Sequence, residues 1–241
     1  MKINTILTPL TVDELFFTKK TTIVIDVLRA STTIVTALDK GAKEIIPVGS
    51  IEFAMKVSGS AFGGQTLLAG ERNAIKIDGF ALGNSPLEFN NENIKGKSII
   101  LYTTNGSKAI VKAKYSSGLF IASFLNLKAI SEYIINQYEE VIVLCSGNNG
   151  VFCLEDSVCA GKLISELISI NSSIQLTDGS KASLVLYKKY KNNLHKMLTE
   201  SEHGINLIEK GFENDITFAA QENISNLIPF YDTGVIKAKK L

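Results

Sequence analysis

Short apolar runs rich in β-branched residues recur along this chain, and most are followed by a stretch patterned for a helix. Six runs, at residues 22–26, 44–47, 66–69, 98–103, 119–122 and 141–145, read as buried strands. Apolar residues at helical spacing follow the first strand at 32–40 and the second at 51–58. Others follow the fourth at 108–114, the fifth at 127–137 and the sixth at 154–169. The alternation predicts an α/β fold, a largely parallel or mixed sheet with helices on both faces. Beyond residue 180 the pattern turns more helical, at 181–190, 195–201 and 203–210, while 214–220 and 227–231 predict further strands. No Pro/Gly/Ser-rich linker divides the chain, so residues 1–241 predict one continuous unit. A strand–loop–helix plan shared by 24–38 and 141–164 leaves room for two similar lobes.

Composition narrows the class. Apolar residues make up 45% and charged residues 20%, as in an ordered protein. Basic and acidic residues number 25 and 24 and are interspersed, which argues against a nucleic-acid footprint. Residues 1–17 lack a signal-peptide pattern, and no apolar run reaches the roughly 20 residues of a membrane span. Three cysteines, Cys145, Cys153 and Cys159, form neither a CxxC pair nor an even framework, which points to a reducing cytoplasm. With only two histidines, a His-rich zinc site is excluded. A homodimer is compatible with all of this.

Polar residues gather where the predicted strands end, the usual ligand edge of an open α/β sheet. In IVIDVLRASTTI, Asp26 suits a metal, Arg29 an anionic oxygen, and Ser31 or Thr32 the cap of the next helix. In LLAGERNAIKIDGFALGNSP, Glu71 and Arg72 open a long glycine-punctuated loop. In TTNGSKAI, Asn105-Gly106 predicts a turn tolerant of positive φ, and Ser107 a helix start beside an anion nest. In CSGNNGVFCLEDSVCAG, Glu155 and Asp156 sit at a helix start after a glycine-rich loop. Acids that hold Mg²⁺, with arginine and backbone amides that hold phosphate, account for all four clusters together.

Taken in order, VIDVLRASTTIVTAL, LLAGER, the GF-A-LGNSP segment, TTNGS, the LED–AG helix and SEHG resemble the 2-phosphosulfolactate phosphatase family. The resemblance spans nearly the whole chain. It implies an α/β, Mg²⁺-dependent phosphatase that converts 2-phosphosulfolactate to sulfolactate and phosphate, a step of coenzyme M biosynthesis. It also implies site positions at Asp26, Arg29, Glu71, Arg72, Asn105, Gly106, Glu155 and Asp156. Against the family pattern, Ala81 stands where an acid is common, Asn73 or Ala74 where a glycine is, and Ser107 where threonine is frequent.

The expectation drawn from residues and resemblance together is a small anionic phosphorylated substrate and no nucleic-acid or membrane partner. Asp26, Glu71, Glu155 and Asp156 form the metal environment, with Asp26, Glu71 and Asp156 as the catalytic acids. Arg29, Ser31, Arg72, Asn105, Gly106 and Ser107 bind substrate. Two alternatives stay open: an aspartyl-phosphate intermediate at Asp26, and a non-catalytic binding protein for phosphorylated metabolites.

Overall fold

A computed structural model describes residues 1–60 and 66–240. The β-branched runs become strands buried along almost their whole length, because helices cover the sheet on both faces. Among the described residues the strands are β1 (Lys2–Ile6), β2 (Thr21–Ile25), β3 (Glu44–Val48), β4 (Thr66–Arg72), β5 (Ile75–Lys76), β6 (Ser98–Tyr102), β7 (Gly118–Ala122), β8 (Glu140–Cys145), β9 (Gln175–Leu176), β10 (Leu227–Asp232) and β11 (Val235–Lys240). The α-helices are α1 (Ala30–Asp39), α2 (Ile51–Ser60), α3 (Asn91–Ile94), α4 (Gly106–Lys112), α5 (Leu127–Ile134), α6 (Leu154–Ile170), α7 (Asp178–Tyr190), α8 (Leu194–Glu200), α9 (Glu202–Glu209) and α10 (Glu213–Ala219). None is long and apolar enough to cross a membrane among the described residues.

All the strands share one sheet in the order β5-β4-β6-β3-β11-β10-β7-β2-β8-β1-β9. One block, β7-β2-β8-β1-β9, is parallel throughout. A second, β3-β6-β4, is also parallel, with β5 antiparallel on its outer edge. The β10–β11 hairpin lies between the blocks and is antiparallel to both.

The core shows how the blocks meet. Val24, Ile121 and Ile142 of the first block and Ile45, Ile99 and Leu101 of the second share one cluster with Ile34 and Leu38 of α1 and Ile110 of α4. Helices α1 and α4 therefore form a middle layer that both blocks cover. The outer face of the first block packs on Ile130 of α5 and on Leu163 and Ile164 of α6. The outer face of the second packs on Ala54 of α2. This arrangement brings the C-terminal ends of β2, β4, β6 and β8 to one cleft, where α1, α4 and α6 begin.

Two sequence expectations change. Where a strand is expected at 214–220 the chain forms helix α10 (Glu213–Ala219): Ile216 and Ala219, three apart, are buried, and Glu213 and Asp215 occupy the first turn, where acids favour a helix. Helix α1 begins at Ala30, two residues before its predicted start, so Ser31 and Thr32 lie inside its first turn rather than capping it.

Helices α6 and α7 touch at Gly161. A Cβ there would sit 2.0 Å from the Ser183 carbonyl oxygen and 2.7 Å from Tyr187 Cβ. Gly161→Ala should destabilise the protein by about 1–3 kcal/mol, because the clash involves backbone that cannot turn away. Urea unfolding measures this, and an unchanged midpoint would refute the close packing.

Candidate active site

The turn after β2 is held by hydroxyls. Ser31 Oγ accepts the Asp26 N–H at 2.9 Å, and Thr32 Oγ1 donates to the Val27 carbonyl at 2.8 Å. Thr33 Oγ1 donates to the Asn84 carbonyl at 2.7 Å. All three side chains are at most 1% exposed; Ser31 and Thr32 satisfy backbone groups of the turn itself, and Thr33 ties α1 to the loop that carries Asn84. Asp26 stands one residue beyond β2. Its Oδ1 accepts the Ala30 N–H at 3.0 Å.

Behind Asp26 stand two more acids from the start of α6. Asp156 Oδ1 accepts the Val27 N–H at 2.8 Å, and its Oδ2 accepts Ser146 Oγ and the Gly147 N–H, both at 3.1 Å. Asp156 thus ties the β2 loop to the β8 loop. Asp26, Glu155 and Asp156 are all buried. Burial, then the charge of Asp156, pushes Asp26 up to about 7. Burial, then Glu155, pushes Asp156 up to about 7. Glu155 is pushed up to about 7 chiefly by burial, with Asp26 adding to it.

Gly106 closes the site from the side of α4. A Cβ on it would meet Asp26 Oδ2 at 2.4 Å and Ala30 Cβ at 2.5 Å. The glycine is required by this close approach and not, as the Asn-Gly pair suggests, by a positive φ, since neither residue has one.

The opposite wall is a β-hairpin. Asn73 and Ala74, at φ 53° and 69°, form the two-residue link between β4 and β5, both in the left-handed region. Ala74 is held there by its neighbours. Glu71 Oε2 accepts the Ala74 N–H at 2.6 Å, and Arg29 Nη2 donates to the Ala74 carbonyl at 2.8 Å. The other Glu71 oxygen accepts the Thr104 N–H at 2.6 Å, joining the hairpin to the loop after β6. Arg29 also donates to Asp215 at 2.7 Å in a fully buried ion pair, and its guanidinium lies 4.1 Å from the centre of the Phe212 ring.

Between these walls lies a polar cavity of about 250 Å³, lined by Asp26, Arg29, Glu71, His203, Lys210 and several asparagines, Asn84 among them. Burial, and next Arg29, lower the pKa of the His203 imidazole.

The sequence matches the family model described as 2-phosphosulpholactate phosphatase over residues 6–234. The chain belongs to the 2-phosphosulfolactate phosphatase family. It is 42% identical to a probable 2-phosphosulfolactate phosphatase of Thermotoga maritima over 92% of this chain and 93% of that one. A protein of the same name from Caldanaerobacter subterraneus is 38% identical over 92% of each chain. Another from Clostridium beijerinckii is 34% identical over 98% of this chain and 99% of its own.

For this member of the 2-phosphosulfolactate phosphatase family, the structure brings Asp26, Arg29, Glu71 and Asn105 to the cavity lining. Both Glu71 oxygens are engaged by the hairpin and by Thr104, so Glu71 is fixed as a clamp. Ser31 and Ser107 are wholly buried and do not reach the cavity. Ser107 Oγ accepts the Thr103 N–H and donates to the Val48 carbonyl, both at 2.8 Å. Arg72 is exposed and outside the lining. Asp156 stands behind Asp26, and Glu155 faces a smaller adjoining pocket of about 170 Å³. Sequence reading underweighted His203, whose SEHG context reads as a helix end, and it passed over Asn84, Lys210 and Asp215.

The acid cluster has a stability signature. Unfolded, these groups ionise near 3.8 and 4.5; folded, they keep protons up to about 7. Between those values the native state binds more protons than the unfolded chain, so their contribution to stability falls as pH rises. In chelator, Asp26→Asn should therefore gain thermal stability relative to the wild type as pH is raised from about 4 to about 8. A stability difference that is constant or shrinks across that range would contradict the raised values.

Proposed function

We propose that this protein hydrolyses 2-phosphosulfolactate to sulfolactate and phosphate with Mg²⁺ as its cofactor. The observation that carries the reading is the buried trio Asp26, Glu155 and Asp156 behind a polar cavity, in a chain matched by the phosphatase family from residue 6 to 234. Three buried acids, pushed up to about 7 chiefly by burial and further by one another's charge, suit a hard cation, and all their donor atoms are oxygen.

Among the described residues, no three His, Cys, Asp or Glu side chains stand ready as a complete metal-holding group. Mg²⁺ does not need such a group, because it keeps several waters and takes one or two protein carboxylates. Asp26 is the acid of the trio that lines the cavity, and Asp156 and Glu155 reinforce the field behind it. When bound, the ion would polarise the phosphoryl oxygens and offset their repulsion towards an incoming nucleophile.

The protein's own groups do the rest. Arg29 and Lys210 supply positive charge to the wall facing the acids. The asparagines donate to anionic oxygens without adding charge. Strict placement of Asp26 follows from the Ala30 N–H and from Gly106 pressed against it.

Phosphate release from 2-phosphosulfolactate should require Mg²⁺ and cease in excess chelator. Asp26→Asn should lower kcat more than about tenfold, removing a charge needed beside the reacting phosphate. Circular dichroism checks that the variant is folded. Full turnover without metal, or a folded variant with wild-type kcat, would refute the proposal.

A further inference from the structure

Around the cavity, two buried side-chain atoms have no hydrogen-bond partner within the protein. Among the described residues, four buried side-chain atoms lack a hydrogen-bond partner: Thr66 Oγ1, Asn84 Oδ1, Ser183 Oγ and His203 Nδ1. Two of these four belong to residues lining this one cavity. An unmatched buried polar group is costly, and its retention calls for a ligand or a catalytic role. Both residues are firmly seated. Asn84 is 4% exposed, its carbonyl takes the Thr33 hydroxyl, and the next residue, Ser85, donates to Asp215 at 2.6 Å. His203 lies in the first turn of α9, where Ser201 Oγ accepts the Gly204 N–H at 3.0 Å.

The state of the ring fits an acceptor. Burial and the nearby charges of Arg29 and Lys210 oppose a second proton, while Glu71 and the Leu28 carbonyl act the other way; the pKa is lowered on balance. A neutral imidazole has one bare nitrogen. Because the ring bonds the Leu28 carbonyl while Nδ1 has no partner, the proton of the neutral ring belongs on Nε2, and Nδ1, like Asn84 Oδ1, is an acceptor in want of a donor.

Resting on the hydrolytic reading above, that donor can be named. A fully ionised phosphorylated acid brings acceptors only. The donor that hydrolysis must admit is water, which has two O–H bonds. We propose that His203 Nδ1 and Asn84 Oδ1 receive the attacking water, with Asn84 setting its direction and His203 acting as general base. As the water oxygen bonds to phosphorus, one of its protons passes to His203 Nδ1. The ester P–O bond breaks with its electron pair left on the leaving oxygen. That oxygen takes up the proton removed by His203, relayed through cavity water, and the imidazole returns to its neutral form. Catalytic hydrogen bonds of this kind commonly tighten only in the occupied site.

Having two histidines makes the test direct, since His195 is exposed and contacts Thr217. In nitrogen-15 spectra at neutral pH, the resonance lost in His203→Gln should report a neutral ring with Nδ1 bare. An imidazolium, or a proton on Nδ1, would overturn the proposal. His203→Ala should lose about 10²- to 10⁴-fold in kcat with KM little changed, and added imidazole should restore part of it. His203→Gln, which keeps a polar wall, should lose kcat without rescue. Thermal unfolding confirms that both variants are folded. Unchanged kcat, or a loss confined to KM, would mean that His203 only shapes the pocket. Wild-type turnover is measured alongside: its absence would sink the substrate reading and this one with it, whereas a result confined to the variants bears on His203 alone.

Discussion

Carboxyl groups brought out of water in one place repel one another, and the chain around Asp26, Glu155 and Asp156 is arranged to withstand that repulsion. Asp156 accepts from the loops after β2 and β8, and Asp26 from the first turn of α1, so the acids also set the register of the loops that carry them. Gly106 lets α4 press against Asp26 without a side chain between. Across the cavity, Arg29 is anchored to Asp215 and to the strained Ala74 carbonyl. A buried pair of that kind is a weak source of net stability, but loss of one partner typically costs about 3–5 kcal/mol. The guanidinium is thereby held as rigidly as the acids, and a charged ligand meets a field that is already oriented.

The alternation of strand and helix was legible because buried parallel strands must be apolar on both faces, which leaves continuous runs such as TTIVI and SIILY. Residues 214–220 misled because their apolar spacing is too short to separate the two periods, and because Asp215 serves a partner 186 residues away. At the site, Asp26 and Asn105 were legible because each stands where a strand ends and a helix is about to begin. Ser31 and Ser107 were not, because a serine that binds substrate and one that secures a turn look alike in sequence. Asn84 and His203 lie in the LGNSP and SEHG segments, but nothing in those segments tells which side chain faces a ligand, and only the folded sheet brings them with Lys210 to the same cavity.

The roles within one motif also divide in a way that composition hides. IVIDVLRASTTI presents a carboxylate, a guanidinium and three hydroxyls. The carboxylate faces the cavity, the hydroxyls hold its backbone, and the guanidinium reaches across to the hairpin and α10. Function is concentrated in one or two of these side chains, and the others make their placement reproducible.

The β10–β11 hairpin carries a consequence for how the protein is made. The strands furthest along the chain occupy the middle of the sheet, between β3 and β7. While the chain is still being synthesised, each parallel block can assemble but keeps an open edge where the hairpin will pair. Those edges can meet other nascent chains until residues 227–240 leave the ribosome. Completion of the sheet thus waits for residues 227–240, and until they emerge β3 and β7 are the edges most open to mispairing.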